Sequence, residues 1–236
     1  MIWPEFKQHL LEDEKTALLL ENVGDINTLE VPEGYKNLWK DVSYEVQNQK
    51  ANRHGLSDQQ RDECFKGLVK RPYHLVNLAS KFNVKNIVEV GTAEGLQIYS
   101  FAKYLSENGG HAWSCDIRDV RNKQYAEKYK DVVTFCPGTS SSLALSLAKD
   151  LKKDETIDMF YIDADHRRGA VISDVTNLRR FQNDNTIWVF DDFDVRFGCF
   201  EDIKMLCKIN KRFCVYRVGD AASGNPNHQV VIYGKI

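Results

Sequence analysis

The 236-residue sequence has no apolar run close to the roughly 20 residues that a membrane-spanning helix needs. Its N-terminus, MIWPEFKQHLLEDEK, has neither the basic start nor the uninterrupted apolar core of a secretory signal. The formal net charge is −2 at pH 7, which gives no electrostatic reason to expect nucleic acid or an anionic membrane as a partner. These absences predict a cytoplasmic protein that binds neither.

The six cysteines include no Cys-x-x-Cys pair, and two of them lie inside apparent strands, WSCDI and VTFCP. We therefore expect buried, reduced thiols rather than disulfides or a zinc site. Hydrophobic residues make up 42% of the chain and charged residues 28%, a balance typical of a globular protein rather than a disordered one.

From about Asn86 onward, short apolar runs alternate with helical patterns. The predicted strands are NIVEVG, HAWSCDI, VVTFC, DMFYIDAD, TIWVFDD, FCVYRVG and HQVVIYGKI. Strand–helix alternation is typical of a doubly wound, mostly parallel α/β sheet of the Rossmann type. The last two strands have no helical pattern between them, so they should form an antiparallel hairpin at or near one edge of a seven-stranded sheet.

Residues 1–85 differ from the rest of the chain. Helical patterns (EFKQHLLEDEKTALLL, SDQQRDECFKGLVK and YHLVNLASKF) surround a polar, loop-like middle, NVGDINTLEVPEGYKN. We predict two parts, an N-terminal helical cap over residues 1–85 and a ligand-binding α/β domain over residues 86–236. The cap is expected to cover the ligand crevice on the side where a second substrate would bind.

Three successive strand ends carry residues suited to a nucleoside ligand. The first strand enters a glycine-containing turn, the second ends in an acid that can accept hydrogen bonds from ribose hydroxyls, and the third ends in small residues where an adenine ring could lie. The dinucleotide fingerprint G-x-G-x-x-G is incomplete, because Ala93 stands in place of its second glycine. The predicted cofactor-binding residues are Glu89, Gly91, Thr92, Gly95, Asp116, Gly138, Ser140 and Asp163.

The fourth and fifth strands end in acidic residues. Asp163 follows the fourth strand, and Asp191 and Asp192 follow the fifth. If these strands are neighbours, the carboxylates share one crevice, and Mg²⁺ would relieve their mutual repulsion. His166 lies three residues beyond Asp163, at the expected start of the next helix, and is the candidate base; whether His166 or Asp163 takes the proton stays open. The competing interpretation is a solvated helix N-terminus.

The motifs VEVGTAEG, IDADH and VFDD, with the strand-end Asp116, resemble class I S-adenosylmethionine-dependent methyltransferases. The resemblance covers roughly residues 86–236. It is strongest to Mg²⁺-dependent sugar O-methyltransferases of the macrocin and mycinamicin type and weaker to catechol O-methyltransferase. It implies S-adenosylmethionine bound by Gly91 and Asp116, and Mg²⁺ held by Asp163, Asp191 and Asp192.

The resemblance also implies an enzyme that methylates one of two neighbouring hydroxyls of a sugar or glycan. A homo-oligomer is the expected assembly. A catechol-like small molecule is the alternative acceptor. A methyltransferase-like module that binds a partner without turnover is the non-enzymatic alternative.

Overall fold

The computed structural model describes residues 29–42, 57, 70–194, 196–210, 212–220 and 226–236. Most of the helical patterns predicted within residues 5–20 and 57–70 therefore lie outside the described residues. Within the described part, no helix is long and apolar enough to cross a membrane.

Seven strands form one mixed sheet. They are β1 (Asn86–Val90), β2 (His111–Asp116), β3 (Val133–Pro137), β4 (Met159–Ile162), β5 (Ile187–Phe190), β6 (Phe213–Asp220) and β7 (Pro226–Tyr233). Their order is β3-β2-β1-β4-β5-β7-β6. Strands β1 to β5 are parallel, whereas β7 is antiparallel to both β5 and β6. The predicted fold class and its antiparallel C-terminal hairpin are confirmed.

The described helices are α1 (residues 33–42), α2 (Lys70–Lys81), α3 (Leu96–Asn108), α4 (Lys123–Lys128), α5 (Ser140–Asp150), α6 (Ala170–Leu178) and α7 (Cys199–Asn210). A 3-10 turn, Arg179–Phe181, extends α6. The prediction of a loop around residues 33–36 was wrong, because α1 begins there. Tyr35 donates its backbone N–H to the carbonyl of Pro32 at 3.0 Å, so this proline opens the helix rather than interrupting it.

Two apolar layers cover the sheet. The strand residues MFYI of β4 and IWVF of β5 are buried throughout, which suits parallel strands covered on both faces. Phe160, Ile162 and Trp188 pack with α5, α6 and α7 on one face. Tyr161 and Val189 belong to the other layer, which includes α2 and α3. This alternation places Glu89, Tyr161 and the N-terminal helices on the same side of the sheet.

The N-terminal residues that are described pack directly on the α/β part. Asp41 of α1 accepts a hydrogen bond from the Tyr125 hydroxyl at 2.8 Å, and its carbonyl accepts one from the Asn122 side chain at 3.1 Å. His74 of α2 packs against the ring of Tyr216 in β6, with centroids 4.5 Å apart. The proposed division at residue 85 stays a prediction.

The five described cysteines are not joined by disulfides, and four of them are buried. This agrees with the expectation of reduced thiols for that part of the chain.

Candidate active site

The turn after β1 brings two strand ends into close contact. Gly91 has φ +93°, and a Cβ built on it would collide with the backbone carbonyl of Asp163. The Asp163 N–H in turn donates to the carbonyl of Val90 at 2.8 Å. Gly91 is therefore required both by its conformation and by the approach of the β4 backbone.

The same turn is held against the end of β2. Asp116 Oδ2 accepts the N–H of Ala93 at 2.9 Å, and Thr92 donates its hydroxyl to the carbonyl of Cys115 at 3.2 Å. Ala93 adopts φ +45°, the left-handed region that a glycine would occupy without strain. Gly95, with φ +96°, precedes α3. The predicted first-turn residues and Asp116 thus lie together.

Glu89 is buried beneath this turn. It is 1% exposed, and its Oε2 has no hydrogen-bond partner among the described residues. Burial, followed by the nearby Asp163 carboxylate, raises the pKa of Glu89 well above its usual range, although the neighbouring Thr92 hydroxyl opposes the shift. An ionised carboxylate with an unpartnered oxygen is costly at a buried position. The geometry therefore suits a positively charged hydrogen-bond donor.

A cleft opens beside Glu89, at the carboxyl ends of β1 and β4. Its walls come from four sources: the first turn, the start of α3, residues at the ends of β1 and β4, and the N-terminal helices. The lining residues are Trp39, Arg71, Pro72, Glu89, Gly91, Thr92, Ala93, Glu94, Leu96, Gln97, Tyr161 and Asp163. Trp39 belongs to α1 and Arg71 to α2, so residues from the segment before Asn86 form part of the cleft.

The end of β3 lies at the same carboxyl edge of the sheet, separated from β1 by β2. Gly138 has φ +125°, and its N–H donates to the carbonyl of Asp116 at 2.8 Å. Ser140 is buried at the start of α5, where its hydroxyl accepts a hydrogen bond from Asn177 at 3.0 Å. Burial also raises the pKa of the neighbouring Asp174 to about 6. The Ser140 side chain is thus bonded to α6, and its contact with a cofactor stays a prediction.

The end of β4 and the end of β5 form a possible metal centre. One ligand atom from each of Asp163, His166 and Asp192 can be chosen so that all three lie within 4.8 Å of one another. His166 Nε2 lies 2.7 Å from Asp192 Oδ2, and this hydrogen bond raises the pKa of His166. Burial is the main cause that raises the pKa of Asp163, with Asp192 adding to it and Arg71 opposing it.

Asp191 is not one of these three residues, and its side chain contacts other groups. Its side chain is fully buried and forms an ion pair with Arg71. Its Oδ2 also accepts hydrogen bonds from the Tyr161 hydroxyl at 2.5 Å and from Gln229 at 3.4 Å. Of the predicted set Asp163, Asp191 and Asp192, the first and last face the possible metal centre together with His166, and the assignment of the metal ligands stays a prediction.

His166 lies in a loop rather than at the start of a helix, because α6 begins at Ala170. The loop is held at two points against the start of α7. The carbonyl of His166 accepts the Cys199 N–H at 2.9 Å, and Asp202 accepts the Gly169 N–H at 2.7 Å. The imidazole ring packs beside Phe197, with centroids 4.7 Å apart. These contacts position His166 toward Asp192.

Residues 88–193 match a family model described as a methyltransferase domain. This part of the chain is a methyltransferase domain. The match spans the first turn, Asp116 and the acidic ends of β4 and β5, and it confirms the predicted methyltransferase. The macrocin-type subfamily stays a prediction. No curated protein matches the chain.

Solved structures of O-methyltransferases resemble most of the chain. TomG from Streptomyces achromogenes, described as involved in tomaymycin synthesis and in complex with SAM, is 13% identical; the match covers 88% of this chain and 92% of that one, with a TM-score of 0.59. An O-methyltransferase from Bacillus cereus in complex with SAH is 17% identical, with coverages of 88% and 94% and a TM-score of 0.59. At these identities the likeness shows a shared fold.

The fungal methyltransferase PaMTH1 from Podospora anserina, bound to SAH, is similar over a larger share of this chain. It is 12% identical, with coverages of 95% and 96% and a TM-score of 0.56.

Sequence reasoning missed Arg71, Trp39, Tyr161 and Gln229. Tyr161 could have been found, because it lies two residues before Asp163 on a strand and so shares its face of the sheet. Arg71 and Trp39 lie in a part of the chain without a recognisable motif, and nothing in their local sequence indicates that they reach this edge.

Proposed function

We propose that this methyltransferase uses S-adenosylmethionine and methylates a hydroxyl of a sugar or glycan that carries a neighbouring hydroxyl, with the help of Mg²⁺. The observation that carries the cofactor assignment is the unpartnered Glu89 Oε2 in the cleft beside Gly91. The ammonium group of the cofactor's methionine part offers the charged donor that this oxygen lacks. The structural neighbours in complex with SAM and SAH support the same assignment.

Asp116 would bind the ribose of the same cofactor. Its two oxygens accept the N–H groups of Ala93 and Arg118, at 2.9 and 3.0 Å. A carboxylate has about four acceptor positions, so it keeps capacity for two ribose hydroxyls. The short distance between this residue and the first turn would then place the ribose and the methionine part on adjacent strands.

Asp163 and Asp192 would hold the divalent cation, with His166 beside them. Two carboxylates that lie close together and partly exposed suit Mg²⁺, which prefers a few carboxylate ligands and keeps open positions for a substrate's oxygens. The bound cation would supply positive charge that lowers the pKa of a coordinated hydroxyl.

His166 would accept the proton of the acceptor hydroxyl on the ring nitrogen that does not donate to Asp192. Asp192 would orient the ring and stabilise the imidazolium that forms. S-adenosylmethionine is the co-substrate that would provide the methyl group: the acceptor oxygen would bond to the methyl carbon as the S–CH3 bond breaks, and the products would be the methyl ether and S-adenosylhomocysteine. Much of the acceleration should come from holding both reactants between the first turn and the end of β4.

A catechol-like small molecule is the second candidate acceptor. It would also present two neighbouring hydroxyls to Asp163 and Asp192. TomG, an O-methyltransferase described as involved in tomaymycin synthesis, supports a small-molecule acceptor in general. A non-catalytic module would bind the cofactor without turnover, so that product formation separates it from both enzymatic proposals.

The proposal is tested by calorimetric titration with S-adenosylhomocysteine, in Mg²⁺ and then in chelator. We expect binding in both conditions, and Asp116→Ala should weaken it at least about tenfold because charge-assisted hydrogen bonds are lost. Asp131→Asn is the matched control, since Asp131 is an exposed carboxylate before β3. Binding that is equal in Asp116→Ala and the wild type would contradict the cofactor site.

The acceptor is then tested by mass spectrometry of sugar diols and catechols incubated with S-adenosylmethionine, with and without chelator. Mg²⁺-dependent methylation of a sugar diol supports the proposal. Methylation of catechols alone favours the second candidate, and cofactor binding without any methylated product favours the non-catalytic module.

A further inference from the structure

Arg71 connects the N-terminal part of the chain with the acidic edge of the sheet. It is the second residue of α2, and its side chain is 22% exposed. Its Nη2 forms an ion pair with Asp191 and lies 3.5 Å from Asp163 Oδ2 and 3.4 Å from the Tyr161 hydroxyl. One nitrogen therefore contacts groups from both β4 and the end of β5.

Both carboxylate oxygens of Asp191 have hydrogen-bond partners. Its Oδ2 accepts from Arg71, Tyr161 and Gln229, and its Oδ1 accepts the backbone N–H of Asp192 at 2.8 Å. A carboxylate without solvent exposure needs a positive partner, because an unpaired buried charge is strongly destabilising. Arg71 supplies that charge from within the chain.

The remaining acidic groups are more exposed to solvent than Asp191. Asp163 and Asp192 keep partly exposed side chains, at 29% and 14%, and His166 is 45% exposed. A cation arriving from solvent would meet these three residues first. To reach Asp191 it would have to displace the guanidinium and the Tyr161 hydroxyl together.

We propose that Arg71 is a positioning residue that serves as the permanent counter-ion of Asp191 and withholds this carboxylate from the cation site. A divalent cation then binds Asp163 and Asp192, beside His166 and without Asp191. Arg71 also orients Asp163 and Tyr161 through the same nitrogen. The inference rests on the proposed function in that both concern cation binding at this edge of the sheet.

The proposal predicts that removal of the guanidinium creates a better cation site. In Arg71→Met, Asp191 and Asp163 become neighbouring carboxylates without a positive partner. A divalent cation should then take the place of the lost guanidinium charge. In Arg71→Met with Asp191→Asn, that excess charge is removed and the gain should disappear. Arg71→Lys keeps the charge and should behave as the wild type.

The experiment is a titration of the full chain with Mn²⁺, followed by electron paramagnetic resonance of the free ion. We expect Asp191→Asn to leave the Kd for Mn²⁺ within about threefold of the wild type. Arg71→Met should lower the Kd at least tenfold, and the double variant should return it to the wild-type value. Arg179→Met is the matched control, because Arg179 is an exposed arginine at the end of α6 and leaves Asp191 untouched.

Two results would overturn the proposal: Asp191→Asn that raises the Kd more than tenfold in a folded protein, or a folded Arg71→Met that binds Mn²⁺ no more tightly than the wild type. If Arg71→Met folds only when Mn²⁺ is present, seen as a cation-dependent thermal transition, the proposal is supported. If it does not fold at all, Asp191→Asn in the wild-type background decides.

A wild type that binds no Mn²⁺ would remove the cation from the proposed function. The comparison of Arg71→Met with the double variant would still decide the role of Arg71, so the two failures are distinguishable.

Discussion

His74 should make the stability of the protein depend on pH in a window that the structure defines. It lies in α2, is 8% exposed, and packs against Tyr216 with its Nε2 unpartnered among the described residues. Burial lowers its pKa from 6.5 to about 4. The folded protein therefore resists protonation of this ring, whereas the unfolded chain accepts a proton below about pH 6.5.

The size of the effect follows from that difference. The contribution of neutral His74 is fully present above pH 6.5 and is lost as the pH falls towards 4. With 1.36 kcal/mol per pKa unit, the stability lost across the whole window is about 3 kcal/mol. Between pH 7.5 and pH 4.5, the free energy of unfolding should fall by about 2 to 3 kcal/mol on account of this one residue.

His74→Leu removes the titrating group and keeps an apolar side chain against Tyr216. Urea unfolding of both proteins at pH 7.5, 6.5, 5.5 and 4.5 measures the difference in their free energies, in which the contributions of distant groups cancel. We expect the variant to gain about 2 to 3 kcal/mol relative to the wild type at the lowest pH. A difference that stays constant within about 0.5 kcal/mol over the series would refute the reasoning.

Three further predictions concern the first turn. Glu89→Gln should raise the melting temperature of the ligand-free protein, because it removes a carboxyl group whose ionisation is penalised by burial, yet weaken the binding of S-adenosylhomocysteine at least about tenfold in calorimetry; unchanged affinity would argue against Glu89 as the ammonium partner. Gly91→Ala should lower the free energy of unfolding by at least about 2 kcal/mol, since its Cβ would meet the Asp163 carbonyl; a urea midpoint equal to the wild type would contradict this geometry. Ala93→Gly should raise the free energy of unfolding by about 0.5 kcal/mol, because the strain that alanine has in the left-handed conformation is larger than the entropy that glycine loses on folding. A clear loss of stability in the same assay would show that Ala93 is not strained.

Much of the fold could be predicted because its signals are local. Strands β4 and β5 are short, fully apolar runs, and such runs separated by helical patterns indicate a covered parallel sheet. Two helices were not predicted, and the reasons are also local. Helix α1 follows a proline and contains a glycine, which together suggest a loop, and α4 has a single buried residue, Tyr125, and so shows no apolar periodicity.

The candidate site could be predicted in part. Asp163, Asp191 and Asp192 follow neighbouring parallel strands, and the carboxyl ends of such strands meet at one edge of the sheet. That rule brings the residues together but does not orient their side chains. The direction of Asp191 depends on Arg71, which lies 120 residues earlier in the chain, and on Gln229, which lies on an antiparallel strand.

The sequence by itself determined the succession of the seven strands along the chain, the glycine turn after β1, and the edge of the sheet at which acidic residues gather. These properties follow from apolar periodicity, glycine conformation and the geometry of parallel strands, all of which act within a short stretch of chain. The tertiary structure decided which carboxylate is neutralised from within and which faces the solvent. That distinction depends on the packing of α2 over the end of β4, and charges from distant segments interact only after burial has brought them together.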